Sequence, residues 1–136
     1  MRILLDTHCW LWLLARPERL ADPALALVQD GSNDVFVSAA CVWELAIKSA
    51  LGKLVLPEPL STFVPRRLTD QGLIGLPVTL EHAARVELLP HHHRDPFDRL
   101  LVAQAQVEEL ALLTVDPELA AYEVEILWGG RGTPPR

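Results

Sequence analysis

A chain of 136 residues has the size of one ordinary domain and not of two. Half of it is apolar, enough for a packed core, so wholesale disorder is excluded. Its 18 acids against 12 bases leave a net charge of -6, the reverse of the basic surplus that marks a simple nucleic-acid clamp.

Arg2 to Leu5 is a short apolar run closed by Asp6-Thr7, which predicts a buried strand feeding a helix. Thr7 is the expected N-cap of that helix, Cys9 to Ala15. A second helix follows Asp22-Pro23 and stops near Gly31. Val35 to Val37 predicts a strand, and Ser38 then caps a helix to about Leu51, with Gly52 as its stop. Leu60 to Gln71 reads as helical in spite of Pro65. Leu73 to Val78 reads as a strand interrupted by Gly75 and Pro77, and Thr79 caps a helix to about Leu89. After His91-His92-His93 comes a well-patterned helix, Pro96 to Glu109. Ala111 to Val115 is a strand, Pro117 to Ala121 a helical turn, and Val124 to Leu127 a last strand. Residues 1–128 therefore read as one domain without a linker or repeat, and 129–136, rich in Gly and Pro, as a flexible tail.

Alternating strands and helices with continuous apolar strands predict an α/β sandwich around a mainly parallel sheet. In such sheets ligands bind beyond the carboxyl ends of the strands, at a topological switch point. Cys9 and Cys41 form neither a CxxC pair nor a zinc spacing and read as buried small hydrophobes. No apolar run approaches the ~18 residues of a membrane helix. Arg2-Ile-Leu-Leu is cut by Asp6, so no signal-peptide core is present and a cytoplasmic location is expected.

Four acids stand out by position. Asp6 and Asp116 end predicted strands and so face the carboxyl edge of the sheet. Asp98 lies in the first turn of the helix from Pro96, and Glu44 in the second turn of the helix after Val37. Each has a structural alternative. Asp95-Pro96 and Asp116-Pro117 have the form of a capping Asp before a Pro at the first helical position, as Asp22-Pro23 does. Asp98 would complement the helix dipole, and Glu44 could pair with Lys48 at i,i+4. Asp6 is the hardest to explain structurally, because a strand end needs no carboxylate. Carboxylates gathered at one edge repel each other and raise one another's pKa values. The usual remedy is a hard divalent cation such as Mg²⁺, which takes oxygen ligands and keeps several waters. Such an ion can lower the pKa of a bound water and clamp a phosphate.

Leu4-Leu5-Asp6-Thr7-His8, with Trp10 and Leu11-Trp12, resembles the opening of PIN-domain proteins of the VapC toxin type. Ser38 to Lys48, including Trp43-Glu44, and on to Leu54 is similar to that family's second motif. His93-Arg94-Asp95-Pro96-Phe97-Asp98-Arg99 through Ala105 matches the third almost throughout. Leu113 to Asp116 resembles the fourth, and Leu127-Trp128 the closing strand, so the likeness runs in order over about residues 1–128.

The resemblance implies a PIN-like three-layer α/β/α sandwich with a parallel five-stranded sheet of order 3-2-1-4-5. It also implies a metal-dependent endoribonuclease toxin, dependent on Mg²⁺ with Mn²⁺ as a substitute. Asp6, Glu44, Asp98 and Asp116 would be the acidic quartet, with Asp6 and Asp98 as the main metal ligands. Thr7 and Thr114 would support the ligands by hydrogen bonding, and Asp95 would be helix cap and secondary support. Hydrolysis of RNA would leave a 3′-hydroxyl and a 5′-phosphate. A VapB-like antitoxin would block the site, and the chain would pair as a homodimer, for which the apolar first helix is a candidate surface.

Other residues carry open alternatives. Arg94 and Arg99 flank Asp98, either balancing charge or contacting RNA phosphates. His93 adjoins the acidic helix start and is a candidate for positioning RNA or the cap, whereas His91 and His92 read as solvated. Of Trp10 and Trp12, one or both belong to the core, and one could serve an interface or stack on a base. An aspartyl-phosphate phosphatase would need a second Asp two residues after the first, where His8 stands. A receiver domain would need an acidic pair after the first strand, which is missing. A PIN-like module that binds RNA or protein without cutting is opposed by the intact acidic positions.

Overall fold

The computed structural model describes residues 1–132. Five parallel strands form one sheet: β1 (Arg2–Leu5), β2 (Asp34–Ser38), β3 (Ile74–Leu76), β4 (Ala111–Thr114) and β5 (Ile126–Trp128), in the order 3-2-1-4-5. Six α-helices flank it: α1 (Thr7–Ala15), α2 (Asp22–Gln29), α3 (Ala39–Ala50), α4 (Leu60–Gln71), α5 (Leu80–Arg85) and α6 (Pro96–Glu108). The expected fold class and strand order are therefore those observed. No helix among the described residues is long and apolar enough to cross a membrane.

The sheet is covered on both faces, which is why its central strands are continuous apolar runs. Ile3, Leu4 and Leu5 of β1 and Leu112 and Leu113 of β4 are at most 1% exposed. Trp10 from α1, Leu45 from α3 and Leu101 and Val102 from α6 pack with them. Cys9 and Cys41 are buried in this core as expected. Burial, with the Asp6 charge nearby, pushes both thiols up, Cys41 to about 12, so both stay protonated at neutral pH.

The elements differ from expectation at their ends. Strand β3 is only three residues long, pairing Ile74, Gly75 and Leu76 with Phe36, Val37 and Ser38, because Pro77 has no N–H to extend the ladder. The helix after Thr79 ends at Arg85 and tightens into a 3₁₀ turn over Val86–Leu88. Leu89 precedes Pro90 and is held extended, at φ -77 and ψ 136. The last strand starts two residues later than predicted, since its register sets Thr114 opposite Trp128. Of the expected tail, Gly129 donates to Thr114 O at 2.8 Å and accepts from Ala21 N at 2.9 Å. A Cβ there would meet Cys9 Sγ at 3.0 Å, so glycine lets the chain pass this close. Arg131 bonds Glu18 O at 2.8 Å, and residues 133–136 lie outside the described residues.

A buried polar cluster locks α3, α5 and α6 together. Ser38 caps α3 by accepting from Ala40 N at 3.0 Å, and its hydroxyl donates to Gln104 Oε1 at 2.5 Å. The Gln104 amide donates to Pro77 O and to His82 Nδ1, each at 3.3 Å. His82 Nε2 then meets Glu108 Oε1 at 2.7 Å. Ser38, His82 and Gln104 are all fully buried, so each unmet bond carries a full desolvation cost. Gln104→Leu removes the central amide at nearly constant volume. It is expected to lower stability by about 1–3 kcal/mol, read as a lower urea midpoint with an unchanged slope.

Candidate functional site

The strand order reverses between β1 and β4, so the carboxyl ends of these neighbours open the crevice in which α/β proteins bind ligands. Asp6 stands at that edge. Its amide still donates to Leu113 O at 3.0 Å, and its side chain is buried. Asp6 Oδ1 accepts from Cys9 N at 2.7 Å, so Asp6 and not Thr7 is the N-cap of α1. The extended backbone at Asp6, φ -76 and ψ 169, suits a cap. The strand-end carboxylate thus has a structural task after all. Asp6 Oδ2 accepts from Thr114 Oγ1 at 2.5 Å and from Val115 N at 3.4 Å. Three donors on a carboxylate leave one of its roughly four lone-pair sites for a further partner.

Thr7, relieved of capping, donates its hydroxyl to Glu44 Oε1 at 2.8 Å. The other Glu44 oxygen pairs with Lys48 Nζ at 3.1 Å. Glu44 therefore stands beside Asp6 through Thr7, apart from the tighter group formed by Asp98 and Asp116.

That group assembles at the start of α6. Asp95 caps the helix by accepting from Phe97 N at 2.8 Å and Asp98 N at 3.4 Å, with Pro96 at the first helical position. The amide of Asp95 donates to His93 Nδ1 at 3.0 Å. Asp116 caps the following 3₁₀ turn through Glu118 N at 2.9 Å, and its own amide donates to Thr114 Oγ1 at 3.0 Å. His93 Nε2 lies 2.7 Å from Asp116 Oδ2, 3.3 Å from Asp98 Oδ2 and 3.4 Å from Glu118 Oε2. Ligand atoms of His93, Asp98 and Asp116 all lie within 4.8 Å of one another. The amide on Nδ1 sets the tautomer, leaving the Nε2 proton to face the carboxylates.

Burial, then the Asp95 charge and those of Asp6 and Asp116, push Asp98 up to about 7 against the opposing pull of His93. Burial works to lower the His93 pKa, but the Asp116 hydrogen bond and the charges of Asp98, Asp116 and Glu118 carry it above its ordinary value. Three carboxylates face one imidazole here, a donor group that could hold a cation.

The remaining expected residues fall outside the cluster. Arg99 is buried, and its guanidinium donates to Pro90 O at 2.9 Å, Val86 O at 3.3 Å, Leu89 O at 3.4 Å and Tyr122 Oη at 3.3 Å. This corrects the phosphate-contact alternative for Arg99, whose rigid fork fastens the loop before α6. Arg94 is exposed and makes no hydrogen bond or ion pair among the described residues. His92 packs edge-on against Tyr122, centroids 5.0 Å apart, and His91 is exposed. Trp10 is fully buried, and Trp12 is half-buried with Arg19 5.7 Å from its ring.

Glu118 and Tyr122 are not singled out by the sequence, and Trp43 enters there only as part of the second motif. Glu118 sits in the first turn after Asp116, a place that could have flagged it. Tyr122 Oη accepts from His93 N at 2.9 Å, a contact across 29 positions that no local pattern signals. Trp43 is 61% exposed, and exposed Ile47 on α3 and Leu51 just past its end continue the same row. Their i, i+4, i+8 spacing was the available signal for a second apolar face.

The Asp98 pKa has a consequence for stability. A carboxyl whose folded pKa lies above its unfolded value favours folding at low pH, and that advantage is lost as pH rises through the folded pKa. The window is therefore from about 4 to about 7. In metal-free protein, Asp98→Asn is expected to be near neutral at pH 5 and stabilising at pH 8. The gain should be on the order of 1 kcal/mol after solvent screening, a rise of several degrees in Tm. Thermal denaturation in chelator at both pH values checks this, and equal effects at the two would contradict it.

Comparison with known proteins places this geometry in a family. The PIN domain profile matches residues 3–125. Ribonuclease VapC16 of Mycobacterium tuberculosis is 44% identical over 73 residues, covering 51% of this chain and only about half, 52%, of that protein. Ribonuclease VapC22 of the same organism is 28% identical over 121 residues, 88% of this chain and 91% of that one. Among solved structures, VapBC2 from Rickettsia felis bound to a promoter DNA fragment aligns with a TM-score of 0.71 at 16% identity, covering 94% of this chain and 98% of that one. DNA-bound VapBC from Salmonella typhimurium gives 0.68 at 17%, with the same coverage of 94% and 98%. At such identities the structural likeness is one of fold. The match of the family profile over nearly the whole described length settles membership: this chain belongs to the PIN-domain family.

Proposed function

We propose that the chain is a divalent-metal-dependent endoribonuclease of the VapC toxin type, neutralised by a cognate antitoxin. The observation that carries this reading is the grouping of Asp98 and Asp116 with His93 at the switch point, near enough to Asp6 for its charge to act on Asp98. The donor set suits a hard cation: carboxylate oxygens dominate, and imidazole is the only nitrogen among them. Asp6 and Asp98 would hold the ion, joined by Asp116, and Mg²⁺ fits, with Mn²⁺ as substitute. When bound, such an ion would neutralise charge on the scissile phosphate and make a water more acidic.

The chain's own residues do the rest. Thr114 fixes Asp6 and steers Asp116 through one hydroxyl, which donates to the first and accepts from the amide of the second. Thr7 holds Glu44 facing the same edge. Asp95 fixes the first turn of α6 and with it Asp98. His93 keeps its Nε2 proton against Asp116, which limits mutual repulsion among the acids until RNA and metal arrive. Arg94, exposed beside them, is free to meet a phosphate. Cleavage would leave a 3′-hydroxyl and a 5′-phosphate.

The names of the two ribonuclease relatives support RNA as substrate. The neighbouring VapBC structures support an antitoxin partner. A homodimer and a cytoplasmic location complete the proposal.

The test is RNA cleavage by purified protein freed of any copurifying antitoxin, with Mg²⁺ or Mn²⁺ and with chelator. Cutting should require metal and should fall about 100-fold or more in Asp98→Asn and in Asp6→Asn. Undiminished cleavage by both variants would overturn the site assignment. Metal-independent cutting would overturn the mechanism.

A further inference from the structure

Trp43 is a large aromatic left 61% exposed on α3. Its ring is nonetheless fixed, packing edge-to-face on Phe97 of α6 with centroids 5.0 Å apart and planes at 71°. The pair joins the two helices that carry the acids: Glu44 follows Trp43 in the chain, and Asp98 follows Phe97. Phe97 also lines a groove of ≈ 430 Å³ together with Ile47, Lys48, Lys53 and Arg94. This is within the ~300–1,000 Å³ of clefts that hold small ligands.

The charge around this groove runs against that of the whole chain. In a protein of net charge -6, three cations border one cleft. Lys53 and Arg94 make no ion pair among the described residues, and Lys48 pairs with Glu44. The acids at the rim are already engaged, Glu44 by Thr7 and Lys48 and Asp95 by the amides of Phe97 and Asp98. Trp43 does not itself line the groove, but it packs on Phe97, which does. An exposed indole therefore borders a cleft with two unpaired cations, an arrangement complementary to single-stranded nucleic acid. Bases stack on aromatic rings regardless of sequence, while cations track the backbone.

We infer that Trp43, braced by Phe97, is a stacking platform for a base of single-stranded RNA next to the acidic site, with Lys53 and Arg94 holding the adjoining phosphates. The inference rests on the ribonuclease reading and names the form of RNA that its site accepts. Trp43 is a positioning residue here. It sets where the strand lies and leaves the chemistry to the acids.

The test uses the full chain and a 5′-fluorescein-labelled, mixed-sequence RNA 12-mer. Binding is followed by anisotropy with Ca²⁺ in place of Mg²⁺, and cleavage separately with Mg²⁺. Trp43→Ala should weaken binding roughly 5- to 150-fold and raise KM by a similar factor, with kcat nearly unchanged. Trp43→Phe should restore most of the loss. Lys53→Ala and Arg94→Ala should each reduce the slope of log affinity against log salt by roughly 0.7. Trp43→Ala loses the edge-to-face contact with Phe97 and should melt slightly below the parent while staying folded at the assay temperature, and Trp43→Phe should melt closer to the parent.

Equal affinity of Trp43→Ala and parent would overturn the platform and leave the ribonuclease reading intact. Failure of the parent to bind the 12-mer would overturn it too. Binding that depends on Trp43, without cleavage in Mg²⁺, would support the platform and contradict the ribonuclease reading alone. A Trp43→Ala defect in antitoxin binding, with RNA affinity unchanged, would assign the face to a protein partner and overturn the proposal.

Discussion

Repulsion among carboxylates at one edge of the sheet is the constraint around which this structure is arranged. Asp6 and Asp116 follow neighbouring strands, β1 and β4, and the first turn of α6 brings Asp98 within reach of both charges. Ordinary folding would disperse such charges or pair each with a base. Here the bases stay outside: Lys48 holds only Glu44, and Arg99 is turned onto backbone carbonyls. The group inside the cluster is His93, a ring whose charge depends on pH and whose position is set from its other nitrogen by the Asp95 amide. Asp98 carries much of the cost: burial first, and then the charges of Asp95, Asp6 and Asp116, push its carboxyl up to about 7.

The acids are tolerated partly because each also does structural work. Asp6 caps α1, Asp95 caps α6, and Asp116 caps the 3₁₀ turn after β4. A capping carboxylate gains charge-assisted hydrogen bonds and a favourable place at a helix start. Asp6 and Asp116 each cap with one oxygen and use the other at the sheet edge, toward Thr114 and His93 respectively, so the local folding signal and the site geometry are one arrangement. The polar cluster around Gln104 extends this logic into the interior by tying the start of α3 to α6. The helices that carry Glu44 and Asp98 therefore keep a fixed relation. The same pair of helices presents Trp43 and Phe97.

Much of this was legible in the sequence. Strand–helix alternation, the caps at Ser38 and Asp95 and the positions of the four acids follow from residue type and spacing. Strand order does not follow from patterning, because all five strands are short apolar runs that would pair equally well in several orders. It came from the motif resemblance. Contacts that cross the sheet edge were also invisible. Whether His93 faces the acids or solvent depends on the path of a loop anchored by Tyr122, 29 positions away. Arg99 read as a surface charge because it is in the first turn of a helix. Its guanidinium is drawn inward by the carbonyls of Val86, Leu89 and Pro90, which face it where the chain turns. The capping task of Asp6 is hidden in the sequence because α1 begins at Thr7, two residues before the start its pattern indicates.

The central claim is that this excess negative charge is a site for a divalent cation. Calorimetric titration of Mn²⁺ into metal-free protein, repeated in buffers of different ionisation enthalpy, measures both binding and the protons it displaces. At pH 6.5, below the raised pKa of Asp98, the account predicts saturable binding with net release of protons, smaller at pH 8.5. Absence of saturable binding, or binding at pH 6.5 without proton release, would contradict it.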